Sequence, residues 1–156
     1  MKLKIEYLIP VIITAGLLVL CFVLLRPEQS WNQGVEDSVA AISRGIIDKD
    51  LRTIITRVDR SYSDTYGNKY DDLKWRLALD FRRQGTPTVN IDILDMKRTG
   101  INSASARLKC NVVMPDASMI YNGEAQVEFS FKGRTWVVSS VKALDERLLQ
   151  DLQEGQ

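Results

Sequence analysis

The chain has 156 residues, of which 45% are hydrophobic and 26% charged, and its 21 basic and 20 acidic side chains leave a net charge of +1. This balance gives no field that would gather nucleic acid, so we expect no nucleic-acid partner. No histidine is present, which removes the commonest general base and transition-metal ligand. The two cysteines, Cys21 and Cys110, lie in an apolar run and an apparent strand, so no disulfide between them is expected.

The first feature along the chain is an uncharged, apolar run from Tyr7 to Leu25. As a helix, this run would be roughly 28 Å long, which is close to the hydrocarbon thickness of a bilayer. A cleavable signal peptide is the main alternative, but the segment Phe22–Pro27 contains no small-x-small cleavage site. We therefore predict that residues 7–25 form a retained transmembrane helix, with the lipid bilayer as partner.

The charges on either side of this run predict its orientation. Lys2 and Lys4 precede the run, whereas Arg26 and the nearby Glu28 follow it. The positive-inside bias then places residues 1–6 in the cytoplasm and the rest of the chain outside it. We expect a single-pass protein of the cell membrane whose domain is extracytoplasmic, or periplasmic in a Gram-negative cell.

A short polar tether follows the predicted anchor. Residues 26–31 are too few to let the next segment move far from the membrane. Trp31 fits either an interfacial aromatic at the headgroups or the first core residue of a helix. Residues 32–143 are predicted to form one folded domain, and residues 144–156 a C-terminal helix and tail.

Two helices are predicted at the start of the domain. Apolar residues recur at three- and four-residue steps over Asn32–Ile47 and continue over Leu51–Val58. Asp48 lies between the two segments and is predicted to cap the second helix, because aspartate is favoured at helix N-caps. The two helices should meet at a corner.

The next segment, Val58–Asn68, is polar and rich in tyrosine, and it predicts a short strand followed by a loop. A third helix is predicted over Tyr70–Gln84 because apolar residues again follow one face. Asn68 and Asp71, three residues apart, fit a capping pattern at its start.

After Pro87 the apolar period changes to two, which is typical of strands. Four long strands are predicted, over residues 89–99, 104–114, 125–131 and 135–141. They are joined by short turns, which implies consecutive hairpins. The fold class is therefore α+β, with three helices packed on a curved antiparallel sheet of four long strands plus one short strand, and a C-terminal helix.

This order of elements resembles the cone-shaped nuclear transport factor 2-like fold, a cystatin-like α+β cone. The residues that carry the resemblance are the helix link Ile46–Leu51, the strand Tyr62–Asp64 and the final strand Gly133–Val138. The resemblance covers about Trp31–Ala143. It implies a cup between helices and concave sheet, which is catalytic in isomerase-like and dehydratase-like members and a protein-binding surface in others. Anchored members are similar to scaffold subunits of type IV secretion systems.

The resemblance also suggests where a ligand would bind. Enzymes of this fold use an Asp–His pair or a tyrosine with acidic residues, and this chain lacks the histidine. Tryptophans in a helix and a strand either fill the cup or line it. The candidate ligand-binding residues are Tyr62, Asp64, Tyr66, Trp75 and Trp136. We assign no catalytic residue.

Neither a metal site nor a cofactor is predicted. The acidic cluster around Asp64 and Asp71 fits no calcium loop, and helix capping explains it more simply. The basic pair Lys97–Arg98 could meet anionic lipid headgroups close to the bilayer, or it could simply be solvated.

The sequence favours a membrane-anchored, non-catalytic interaction or scaffold domain that binds a partner protein or forms a homo-oligomer. Two alternatives remain open, namely a domain that binds a small apolar ligand, and a tyrosine–carboxylate enzyme of isomerase or dehydratase type. The contents of the cup discriminate between them. A cup plugged by Trp75, Phe129 or Trp136 would count against both ligand binding and catalysis.

Overall fold

A computed structural model of the protein describes residues 30–83, 85–114 and 120–144. These residues form three helices and five strands. In chain order the elements are α1 (Trp31–Ile47), α2 (Leu51–Ile55), β1 (Val58–Asp64), α3 (Tyr70–Asp80), β2 (Thr88–Gly100), β3 (Ser103–Val113), β4 (Ile120–Lys132) and β5 (Thr135–Ala143). No helix within the described ranges is long and apolar enough to cross a membrane. The predicted anchor and the predicted C-terminal helix lie outside those ranges, and both stay predictions.

The five strands form one mixed sheet in the order β1-β5-β4-β3-β2. Strands β2 to β5 pair antiparallel as successive hairpins, which confirms the predicted α+β class. The prediction of an antiparallel sheet is wrong at one edge, because β1 pairs parallel with β5, Val58 facing Val138 and Asp64 facing Val141. A parallel pair needs a long crossover, and α3 with the three other strands supplies it here.

The short strand begins at Val58, as the segment Val58–Asn68 predicts, but the second helix is shorter than predicted. The structure ends α2 at Ile55 and begins β1 at Val58, so Val58 belongs to the strand and not to the helix. Val58 and Tyr62 are both buried in the core, on the same face of β1. Helix α3 likewise ends at Asp80, four residues before its predicted end.

Asp50, and not Asp48, caps α2. The Asp50 carboxylate accepts hydrogen bonds from Thr53 N at 3.1 Å and from Thr53 Oγ1 at 2.6 Å. Asp48 instead closes the end of α1, where its backbone N–H donates to Arg44 O at 2.8 Å. Lys49 adopts a left-handed φ of 55°, which turns the chain between the two helices and brings Asp50 to the cap position.

The start of α3 is also capped differently from the prediction. Asp72 accepts a hydrogen bond from Lys69 N at 2.9 Å, so the capping carboxylate lies one residue later than Asp71. The Asn68 side chain donates to Asp64 at 2.8 Å and therefore belongs to the turn after β1.

Helix α1 contacts the concave face of the sheet most closely at Gly34. A Cβ at this position would lie 2.9 Å from Trp136 Nε1 and closer still to Trp136 Cδ1, so only glycine leaves room for the ring. One turn further on, Ser38 Oγ donates to Trp136 O at 2.5 Å. This hydrogen bond satisfies the hydroxyl of a fully buried serine.

The convex face carries mainly polar side chains, and one of them is a buried carboxylate. Asp59 accepts hydrogen bonds from Lys132 Nζ at 2.5 Å, Ser61 N at 2.9 Å and Ser130 Oγ at 3.0 Å. Burial alone would raise the pKa of Asp59, but these hydrogen bonds outweigh it and hold the pKa well below its ordinary value. The charged Asp59 side chain therefore links β1 to the end of β4.

Candidate functional site

A cavity of about 330 Å³ lies between the helices and the concave face of the sheet. Its helical wall comes from one apolar stripe on each helix. The residues on this wall are Val39, Ile42, Ile46, Ile54, Leu73 and Leu77. On α1 and α3 they recur at steps of three or four, so one helical face points into the cavity.

The opposite wall is formed by inward-facing residues of the five strands. They are Val58, Tyr62, Ile91, Leu108, Cys110, Val112, Tyr121, Ala125, Val127, Phe129, Val138 and Val141. Small residues explain why the space stays open. On β4, Ala125 faces Leu108, and Gly123 faces Cys110 across the β3–β4 pair. A larger side chain at 125 would project into this space.

The cavity is apolar, and its polar atoms are few. Among the described lining residues only Tyr62, Cys110 and Tyr121 carry a polar side-chain atom, and no carboxylate or basic group is present. Burial, reinforced by the negative charge of Asp64, raises the pKa of Tyr62 above its ordinary value. The hydroxyl therefore stays protonated at neutral pH and can donate a hydrogen bond.

Cys110 is a free, half-buried thiol in the wall. Burial, with a smaller contribution from the Asp92 carboxylate, raises the pKa of Cys110 to about 11. The thiolate is the nucleophilic form, so at neutral pH this cysteine behaves as a small apolar side chain and not as a nucleophile.

Of the predicted ligand-binding residues, Tyr62 lies in the cavity wall. Asp64, two residues later, is not among the lining residues. Its carboxylate accepts hydrogen bonds from Tyr66 N and Asn68 N, both at 2.9 Å, and thereby holds the turn after β1. The Tyr66 side chain is 51% exposed outside the cavity.

Neither of the two predicted tryptophans lines the cavity. Trp75 is 65% exposed on α3. Trp136 is buried beside Gly34, and its ring centroid lies 5.4 Å from that of Phe131. Phe129 contributes to the wall and is 1% exposed. The cup is therefore open and not plugged by a tryptophan.

The sequence interpretation did not select Cys110 or Tyr121 as candidate ligand residues. The alternation in β3 does place Cys110 on the same face as Leu108, and the same alternation in β4 aligns Tyr121 with Ala125. The useful signal would have been the size of the inward residues. Two small residues in succession at inward positions of β4, Gly123 and Ala125, leave less of the concave face filled than larger residues would.

Neither a protein-family profile nor a curated protein sequence matches this chain. Solved structures do resemble it. They include a candidate scytalone dehydratase from Novosphingobium aromaticivorans (TM-score 0.64, 9% identity, 71% of this chain and 80% of that one). A nuclear transport factor 2-like protein of unknown function from Shewanella oneidensis gives a TM-score of 0.60 at 10% identity, over 73% of this chain and 98% of that one.

A candidate aromatic ring hydroxylase, also from Novosphingobium aromaticivorans, has a TM-score of 0.59 at 12% identity. The similarity covers 70% of this chain and 85% of the hydroxylase chain. Identities this low establish a shared fold and nothing about activity. The expectation of a nuclear transport factor 2-like fold is confirmed at that level.

Proposed function

We propose that this domain binds a small apolar molecule in the cavity between α1 and the sheet, without changing it chemically. The observation that carries the proposal is the cavity itself, which has a volume of about 330 Å³ and an almost wholly apolar wall. Small-molecule sites in proteins span roughly 300–1,000 Å³ and are lined mainly by hydrophobic side chains. This cavity lies at the lower end of that range, so it suits a compact ligand.

The chemistry of the wall restricts the ligand further. Leu108, Val127 and Phe129 offer only apolar contacts, so charged or strongly polar molecules would lose their hydration without compensation. The protonated Tyr62 hydroxyl can donate one hydrogen bond. We therefore infer a neutral aromatic or branched aliphatic ligand that carries at most one acceptor, such as a carbonyl oxygen.

A catalytic role has less support. The names of two similar structures include a dehydratase and a hydroxylase, and Tyr62 would suit the tyrosine–carboxylate chemistry considered above. That chemistry also needs an acid or base in contact with the ligand. Asp64 holds a turn, Asp80 pairs with Arg83 at 3.7 Å, and neither lies among the described residues of the wall, which include no carboxylate.

The site of action remains a proposal taken from the sequence. The uncharged run Tyr7–Leu25 would anchor the chain in the lipid bilayer, with residues 1–6 in the cytoplasm and the domain outside it. An apolar ligand accumulates in or near membranes, so an anchored binding domain would meet it at its highest concentration.

A second candidate function is protein binding, by a partner protein or a second copy of the chain. The observation that favours it is the outer face of α3, where Trp75 is 65% exposed and Leu79, four residues later, is 38% exposed. Side chains at this spacing are neighbours on a helix surface, and exposed apolar pairs are common at interfaces. This role does not compete with the cavity for residues.

Ligand binding is tested by the thermal stability of the full chain in mild detergent, with benzene, indole and naphthalene as probes. A ligand at about 100 times its Kd stabilises the folded state by about 2.7 kcal/mol, which raises the Tm. We expect such a rise in the unmodified chain. It should be lost in Ala125→Leu, which fills the cavity.

Asn111→Leu is the matched control, because it adds a leucine on the convex face of β3, one residue from Cys110. This variant should keep the rise in Tm. Equal rises in Ala125→Leu and the unmodified chain, or no rise with any of the three probes, would contradict the proposal.

A further inference from the structure

Two hairpin tips lie side by side at one end of the sheet. The first joins β2 to β3 through Ile101 and Asn102, and the second joins β4 to β5 through Gly133 and Arg134. They are in contact, because Phe131 N donates to Asn102 O at 2.9 Å. We call residues 97–103 and 131–134 together the hairpin end.

The hairpin end exposes two large apolar side chains to solvent. Ile101 is 84% exposed, the highest value among the exposed large hydrophobic residues, and Phe131 is 41% exposed. The tip that carries Ile101 is held in shape, since Arg98 donates from Nε to Gly100 O at 3.1 Å and from Nη2 to Ile101 O at 2.9 Å. A fixed, protruding isoleucine is costly in water and favourable in an apolar medium.

The charge around these side chains has one sign. The hairpin end contains four basic residues and no acidic one, the basic residues being Lys97, Arg98, Lys132 and Arg134. Lys132 pairs with Asp59, which lies outside the hairpin end, and the described residues offer no ion pair to Lys97, Arg98 or Arg134. Apolar tips surrounded by basic side chains complement an anionic lipid surface.

The chain enters the domain at this same end. Trp136 packs against Phe131 and lies beside Gly34, which is one helical turn from Trp31, the first residue of α1. The uncharged run ends at Leu25, six residues earlier. Six residues span at most about 20 Å even when fully extended. If that run crosses the bilayer, the hairpin end cannot lie far from the lipid headgroups.

We propose that the hairpin end is a membrane-docking surface, with Ile101 and Phe131 among the headgroups and the basic residues on anionic lipid. Lipid is favoured over a protein partner because the charge, the apolar tips and the short tether all fit one occupant. Docking would add a second contact to the anchor and hold the domain in one orientation. It is independent of the cavity, which Ile91, Val112 and Tyr121 line nearer the other end of the strands.

The test uses the full chain in lipid vesicles, with Cys21 and Cys110 replaced by alanine. An environment-sensitive fluorophore is attached to Ile101→Cys, and the matched control carries it on Tyr66→Cys. Tyr66 is exposed in the turn after β1, which leaves the sheet at the opposite end, beside Val141. The vesicles contain phosphatidylcholine alone or with phosphatidylglycerol, and brominated lipid serves as the quencher.

In the anionic vesicles we expect blue-shifted emission and quenching for the label at 101 and neither for the label at 66. Neutralising Lys97 and Arg134 with glutamine should lower the ratio of docked to undocked domain about fivefold per charge. Equal emission from the two positions would overturn the proposal. Shielding at 101 in native membranes but not in pure lipid would overturn it too, and would indicate a protein partner.

Discussion

Helix α1 meets the sheet very differently at its two ends. Near the hairpin end a large residue of the sheet lies under a glycine of the helix, so that Trp136 fills the space beside Gly34. Further along α1, Ile42 and Ile46 line the cavity together with Ala125 of the sheet. Both contacts are apolar. The distribution of side-chain size, and not hydrophobicity, therefore decides which end is packed and which holds the cavity.

The largest expected effect is at the packed end. Trp136→Ala should lower the free energy of unfolding by about 3–5 kcal/mol, because it removes a buried aromatic ring. Trp75→Ala is the matched control, since the same change on an exposed face of α3 should stay within about 0.5 kcal/mol. Urea unfolding of the full chain measures both. Similar losses in the two variants would show that the end around Trp136 is not packed as described.

A smaller effect on stability compares the packed end and the cavity end of α1 directly. Gly34→Ala adds one carbon where the Trp136 ring already lies, and it should cost about 1–3 kcal/mol through overpacking. Ala125→Leu adds three carbons where the cavity offers room, so it should cost less stability than Gly34→Ala does. Unfolding curves of the two variants give the comparison. If the leucine cost more than the alanine, the cavity would not have the room assigned to it.

The smallest effect concerns Cys110 at the open end. Its pKa of about 11 lies above the 9.0 of an unperturbed cysteine, so the folded state favours the protonated thiol. The stability that this contributes is present below pH 9 and is lost as the pH rises toward 11. At pH 8 iodoacetamide should react roughly a hundredfold more slowly with the folded than with the urea-unfolded chain. Mass spectrometry in a Cys21→Ala background measures the rates, and equal rates would place the thiol in water.

Much of the fold could be predicted because it depends on local periodicity. The steps of three and four in α1 gave its end at Ile47, and the strict alternation in β3 and β4 identified the inward residues. The N-cap of α2 was predicted at the wrong residue because Asp48 and Asp50 are equally suitable as capping side chains. Only the left-handed backbone at Lys49 selects between them.

The parts that could not be predicted depend on distant contacts. The alternation of residues within β1 does not determine which strand pairs with it, so no local pattern predicts the parallel pairing with β5. The cup was expected from the resemblance, but whether it is open or filled could not be predicted, because that depends on contacts between α1 and distant strands. Tyr62 could be selected because it precedes α3 on a short strand. The exposure of Trp75 could not be predicted, because the third helix is only weakly amphipathic.

The pairing of β1 with β5 has a consequence for how the domain folds during synthesis. Ser63 pairs with Ser140, so this edge of the sheet joins residues far apart in sequence. Chains rich in such distant contacts fold slowly, because loop-closure entropy is lost before the contacts form. The helices and β1 therefore leave the ribosome well before the strand that completes their core. A newly made chain presents its apolar helical stripes to the surroundings until the last strand arrives, which makes this interval the one most exposed to aggregation or chaperone binding.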